Sequence, residues 1–326
     1  MATPVAPLVS RLASGLRAAA KGEDATVVDR ARLVAARTLA AAMPDLLVEA
    51  RRVAATVAAG WHGRRRAGSG EAFWQYRPLV GGEAASAIDW RRSARDDLLY
   101  VREREWEAAH TVWLAPDLSP SMDWRSELSP VTKRDRAVVL TLALADLLAR
   151  AGERVGMPGV MRPITHRRAA ERLAAALATH PERLSMPMPG AVDRFSELVL
   201  IGDFLDAFDT IETRLTALAA SGARLHLARI VDPAEATLPF LGHLEFRDPE
   251  TAEIVRVPRT ESLKEAWAAR WAAHGASLAD LARRGGWTLV THATDRAPVE
   301  AALALAASLG GDHHAPPFSR SRGGAT

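Results

Sequence analysis

A chain of 326 residues, 48% hydrophobic and 25% charged, has the size and make-up of a globular protein with one large domain or two modest ones. Its formal charge of +3 is nearly balanced, although the pI is about 9.7, because the basic side chains are almost all Arg and Lys occurs only at Lys21, Lys133 and Lys264; such a balance does not demand a nucleic-acid partner. The lack of cysteine excludes disulfides, thiol nucleophiles and cysteine-held zinc or iron–sulfur centres.

Arg11 and Arg17 interrupt the apolar N-terminal stretch, which argues against a secretory signal. No uncharged apolar run is long enough to span a bilayer. A cytoplasmic location is therefore expected. Residues 28–59 read as helix, with Pro44 splitting or starting one and Leu46, Leu47, Val53 and Val57 forming the apolar stripe. A Gly/Arg-rich loop follows at 60–70, and short strands are predicted between 71 and 107, with a turn at Gly81-Gly82.

The pattern then changes. Residues 111–116 form a short apolar run ending in Asp117, the signature of a buried strand. Ser129-Pro130 supplies a capping hydroxyl and a first-turn proline for a helix reaching about Ala151. Further strands are predicted at 154–160, 197–201, 224–231 and 287–290, and helices at 167–180, 206–220, 261–284 and 297–309. Alternation of this kind predicts an α/β fold with a doubly wound, mostly parallel sheet, preceded by a helical and short-strand N-terminal region. A β-hairpin is predicted within 243–257, around Pro249-Glu250, and the tail from Gly310 reads as disordered. The expected division is a helical or flexible segment at 1–43, an N-terminal region at 44–108, the α/β domain at 109–310 and a tail at 311–326.

In open α/β sheets ligands bind at the carboxyl ends of strands where the strand order reverses. The first strand of this sheet ends in Asp117-Leu118-Ser119-Pro120-Ser121, which offers a carboxylate and two hydroxyls at alternate positions of a tight loop. Hard oxygens in that arrangement suit Mg²⁺ or Mn²⁺. A second apolar run, 198–202, ends in Asp203, which faces the same crevice if the two strands are neighbours. The same loop also reads as a simple helix start, with Ser119 as cap and Pro120 at the first helical position. Asp232-Pro233-Ala234-Glu235 places two more acids past a strand end, as an extension of the crevice or as turn chemistry.

Asp89, Trp90, Arg91 and Arg95 form a second candidate: a docking surface for an acidic partner or, the favoured reading, a structural cluster with Trp90 in the core. Arg64-Arg65-Arg66 reads as a solvated loop before a phosphate grip. The histidines, among them His110, His180, His226, His243 and His292, lack His-Glu-x-x-His spacing. No Gly-x-Ser-x-Gly elbow, Walker lysine loop or Gly-x-Gly-x-x-Gly loop occurs.

Phe73-Trp74-Gln75-Tyr76-Arg77, Gly81-Gly82-Glu83, Ile88-Asp89-Trp90-Arg91, Ser93-Ala94-Arg95 and Val101-Arg102-Glu103 run directly into Asp117-Leu118-Ser119-Pro120-Ser121-Met122. With Ile201-Gly202-Asp203-Phe204, Val231-Asp232-Pro233-Ala234-Glu235 and Thr237-Leu238-Pro239-Phe240, this string resembles the bacterial domain-of-unknown-function family 58. The resemblance implies a von Willebrand factor A-like domain and a functional link to MoxR-type AAA+ ATPases. It points to a non-catalytic interaction module with a metal-ion-dependent adhesion-type site. Asp117, Ser119 and Ser121 would hold Mg²⁺ or Mn²⁺, with Asp203 helping directly or through water, and the partners would be the ATPase and its client protein. In the wider A-domain pattern a Thr from the loop before the fourth strand completes the shell. Here residues 183–193 contain no Thr and a single hydroxyl, Ser185, which leaves open weak affinity or a relic site. Two other classes stay in view: a metal-dependent phosphoesterase, which lacks further acids and a general base, and an Arg-mediated nucleic-acid binder.

Overall fold

The computed structural model describes residues 25–61, 73–79, 86, 88–95, 98–104, 110–179, 185–248 and 254–310. These divide into two compact units, residues 59–109 and the remainder. The smaller pairs β1 (Phe73–Pro78) antiparallel with β2 (Tyr100–Arg104), with the short helix α2 (Trp90–Ser93) between them. The expected short strands of this region are present. Arg64 to Arg66 and the tail beyond Gly310 lie outside the described residues.

The larger unit is built on a six-stranded sheet of order β10-β7-β6-β3-β4-β5. Its strands are β3 (Thr111–Pro116), β4 (Arg154–Met157), β5 (Met161–Ile164), β6 (Glu197–Gly202), β7 (Arg224–Val231) and β10 (Thr288–Ala293). All neighbours are parallel except β5, which runs antiparallel to β4. The single strand expected over 154–160 is thus the first arm of a hairpin turned at Gly159. Its second arm contains Pro163, which the sheet tolerates because β5 is an edge. From β3 the chain builds outward through β4 and β5, then crosses back to lay β6 on the other side of β3. The β3/β6 boundary is therefore the point where the winding reverses.

Alternation along the strands separates two layers. Trp113, Leu198, Leu200, Leu225 and Leu227 face Ile211, Leu215 and Leu218 of α5 (Phe208–Ala220) and Leu278 and Leu281 of α7 (Lys264–Gly285). On the other side lies α3 (Lys133–Arg150), buried along nearly its whole circumference, with α4 (Ala169–Thr179) and α8 (Val299–Leu309). The cap of α3 is Thr132, whose hydroxyl accepts from the Asp135 amide at 3.0 Å, and not Ser129 as expected. Ser129 sits a turn earlier, donating to the Val131 carbonyl.

The first helix, α1 (Ala25–Trp61), is continuous, with Pro44 inside it; the expected break at Pro44 does not occur. Met43, Leu46, Ala50, Val53 and Val57 bury one stripe, and Glu49 pairs with Arg136 of α3 while Arg51 pairs with Glu171 of α4. The loss of one backbone donor is outweighed by this packing. The predicted hairpin is present as β8 (Leu244–Arg247) and β9 (Ile254–Val257), preceded by the short helix α6 (Pro233–Thr237). Phe246 and Val255 pack with Leu238, Leu263 and Trp267 as a small second core.

Candidate functional site at the carboxyl end of the sheet

The Asp117 amide donates to the Ile201 carbonyl at 2.7 Å, which carries the β3/β6 ladder one residue past the end of β3. Asp117 and Asp203 therefore leave adjacent strands at the switch point, as the two Asp-terminated runs predict. The Asp117 carboxylate accepts from the Ser119 amide at 2.9 Å and lies over Gly202. A side chain at 202 would put its Cβ 3.0 Å from Asp117 Cβ, so Asp117 would have to give by a few tenths of an ångström. The buried Ser119 and Ser121 hydroxyls stand 3.1 Å apart. Residues 120–123 form one turn of 3₁₀ helix with Ser119 at its cap position, but the Ser119 side chain makes no capping bond. Its hydroxyl turns to Ser121 instead.

Among the described residues no group of three or more His, Asp or Glu side chains could hold a metal ion. A metal site here must be built on the hydroxyls. Two oxygens 3.1 Å apart match the edge of an octahedron with bonds of about 2.1 Å, whose neighbouring ligands are about 3 Å apart. The same 3.1 Å is the length of the hydrogen bond the two hydroxyls share. Ser185 is exposed, and it is its neighbour Met186 that lines a cleft of about 20 Å³ with Asp117, Gly202 and Asp206.

Asp203 has a different companion. Its Oδ2 accepts from Lys133 Nζ at 2.9 Å, and the same ammonium reaches Glu235 Oε1 at 2.5 Å. Lys133 and Asp203 are each 1% exposed. Burial alone would depress the lysine pKa, but the two carboxylates and their hydrogen bonds more than reverse this, and the net shift is upward. The ammonium stays charged. Burial, with a smaller contribution from Asp203, holds the Glu235 carboxyl above its usual range against the opposing pull of Lys133. Glu235 Oε2 also accepts from the Asp232 amide at 2.9 Å, closing a reciprocal capping box on α6. The Asp232 carboxylate accepts from the Ala234 amide and from the amide and hydroxyl of Ser126. Both acids after β7 therefore do turn chemistry, and Glu235 in addition faces the crevice. The residue missed in the sequence was Lys133. Its one signal was rarity: a lysine placed at the entry of a buried helix in a chain that otherwise uses Arg.

Next to this cluster opens a groove of about 780 Å³, reached by Ser121, Lys133 and Glu235 at one end and walled by Trp124, Phe246, Trp267 and Trp271. Trp267 stacks on Trp271 at 6.3 Å, and its indole N–H donates to the Glu235 carbonyl at 2.7 Å. Arg229 lies over Trp271, 4.6 Å from the ring centroid, and burial lowers its pKa.

In the smaller unit Asp89 caps α2, accepting from the Arg92 amide at 3.0 Å. Trp90, expected in the core, is 63% exposed. Trp90 is the first residue of a single-turn helix whose buried residue is Ser93. Arg91 and Arg95 are exposed beside it.

The family described as "Protein of unknown function DUF58" matches residues 75–277. Uncharacterized proteins of Mycobacterium bovis and of two Mycobacterium tuberculosis strains are 26% identical over 238 residues, 68% of this chain and 73% of theirs. Two solved structures are similar over 62% of this chain and 99% of theirs: the conserved hypothetical protein BatB of Bacteroides thetaiotaomicron, at 16% identity and a TM-score of 0.39, and an aerotolerance-related membrane protein of Bacteroides fragilis, at 15% and 0.37. Among the described residues no helix is long and apolar enough to cross a membrane.

Proposed function

The chain belongs to the DUF58 family, and from that premise we propose that it is a non-catalytic binding module with a von Willebrand A-like domain. Its recognition centre is the loop Asp117, Ser119 and Ser121, a metal-ion-dependent adhesion-type site. The partners we assign are a MoxR-type AAA+ ATPase and its client, met in the cytoplasm. The observation that carries this reading is the convergence of the two buried hydroxyls, 3.1 Å apart, beside Asp117 at the sheet's switch point. A bound Mg²⁺ or Mn²⁺ would supply an electrophilic centre for a partner's carboxylate. Asp203 is assigned an indirect part: it fixes Lys133, whose charge keeps the crevice from being a purely acidic hole.

Thermal melts with and without millimolar Mg²⁺ or Mn²⁺ test the site. Asp117→Asn keeps an acceptor for the Ser119 amide and removes only the charge. The parent should be stabilised by the mass-action increment of a native-state ligand, about 2.7 kcal/mol at a hundredfold excess over Kd, and the variant should not respond. A parent whose melting point is the same in either ion and in EDTA overturns the metal site.

A further inference from the structure

The metal loop and the aromatic groove share a wall. Ser121, the last hydroxyl of the loop, lines the groove, and Trp124, one of the aromatic walls, follows three residues on at the end of the same 3₁₀ turn (Pro120–Asp123). At about 2 Å of rise per residue that is about 6 Å, the span of about two residues of extended chain. Asp206 lines both the groove and the small cleft that holds Asp117. The groove's volume of about 780 Å³ falls within the range of about 300 to 1,000 Å³ of pockets that enclose a ligand on mainly apolar walls.

Charge does not select what lies along these walls. Five carboxylates and three cations line the groove. Arg214, 3.7 Å from Asp206, and Arg256, paired with Glu245, bring two more cations from outside the lining, so the charges cancel at five of each. Lys133, the cation at the loop end, is already engaged by Asp203 and Glu235. A carboxylate arriving at that end therefore gains only from a metal on the loop. Beyond it the Trp124, Phe246, Trp267 and Trp271 walls favour uncharged apolar side chains.

We propose that the groove is the specificity pocket of the metal loop: a partner segment sets one carboxylate on the loop's metal and, one or two residues further along, lays uncharged aromatic or aliphatic side chains against the groove. This rests on the metal-site reading and adds to it the residues that must flank the carboxylate. A segment with charged neighbours loses the apolar contacts and gains no ion pair in exchange.

The test is isothermal titration calorimetry of the whole protein with acetyl-Asp-Phe-Leu-amide, acetyl-Asn-Phe-Leu-amide and acetyl-Asp-Ser-Ser-amide, in millimolar Mn²⁺ and in EDTA. Acetyl-Asp-Phe-Leu-amide in Mn²⁺ should bind tightest. Exchange of Asp for Asn, exchange of Phe-Leu for Ser-Ser, or removal of Mn²⁺ should each weaken binding about tenfold or more. Trp124→Ala should weaken acetyl-Asp-Phe-Leu-amide at least about threefold and leave acetyl-Asp-Ser-Ser-amide unchanged, with its melt in EDTA as the check on folding. Equal affinity for the Phe-Leu and Ser-Ser peptides, with the melt still answering to Mn²⁺, would overturn the pocket and leave the metal site standing. Equal affinity in Mn²⁺ and EDTA, or for Asp and Asn, would separate the groove from the loop and overturn it as well. So would the absence of binding at millimolar peptide. A parent whose melt ignores both Mg²⁺ and Mn²⁺ removes the metal site itself, and the pocket with it.

Discussion

The two ends of the central sheet each bury an ionisable side chain among hydrogen-bonding partners, and they do so to opposite purpose. At the carboxyl end Lys133, Asp203 and Glu235 border an open groove. At the amino end His226, fully buried, sits between Glu197, 2.7 Å from its Nε2, and the Ser308 hydroxyl, 3.1 Å from its Nδ1. On composition alone the second cluster looks the more catalytic, since Ser, His and Glu are the members of a hydrolase triad. Its geometry says otherwise. The Ser308 hydroxyl also lies 2.7 Å from the Leu305 carbonyl, which competes with His226 Nδ1 for its proton. The site also lies at the C-terminus of α8, where the helix dipole opposes an oxyanion. Residue identity does not make a site; the end of the sheet and the direction of each proton do.

Lys133→Met breaks the carboxyl-end cluster most severely. It leaves two carboxylates buried without their cation, for which a loss of about 3 to 5 kcal/mol in urea unfolding is expected. Adding Asp203→Asn and Glu235→Gln to the same chain should recover a large part. A single variant as stable as the parent would show that water already reaches the cluster.

A pH titration of stability sharpens the contrast at the same end of the sheet. Burial, with the Arg136 charge adding, holds the His292 imidazole down at about 4 from its ordinary 6.5. The unfolded chain therefore takes up a proton there before the folded one does. Stability is unaffected above about pH 6.5 and falls as pH drops through 6.5 towards 4, by about 3 kcal/mol at about 1.4 kcal/mol per tenfold change in proton affinity. His292→Gln should remove most of that slope. An unchanged slope assigns it to other groups.

The smallest effect is expected at the amino end. Ser308→Ala removes the hydroxyl's contacts with the Leu305 carbonyl and with buried His226 Nδ1 and should cost about 1 to 2 kcal/mol, with metal binding unaltered. Abolition of any turnover found in the parent would reverse the comparison drawn above.

The strand-and-helix order was legible because apolar runs ending in Asp117 and Asp203 declare both burial and the strand's carboxyl end. That the two acids lie on neighbouring strands was legible only conditionally, since order within a sheet is a property of crossovers. Lys133 was not legible: its partners are 70 and 102 residues away, beyond any local pattern. Trp90 misled because large aromatics are usually buried, whereas a four-residue helix has too little inner face to cover one. The β5 strand was hidden by its shortness and by Pro163. Pro44 was read as a break because propensity was weighed without the packing that overrides it.

The apolar stripe of α1 also sets a schedule for synthesis. Glu49 must wait 87 residues for Arg136, and Arg51 120 residues for Glu171. At about 5 to 20 residues per second that is roughly 4 to 24 s during which Met43, Leu46, Val53 and Val57 have left the ribosome without their cover. A nascent chain with a naked helical stripe is a substrate for holding chaperones, and the interval grows with every residue inserted between the helix and its seat. Fusing residues 25–58 behind the sheet by circular permutation would shorten the wait, and soluble yield at high expression temperature would register the gain.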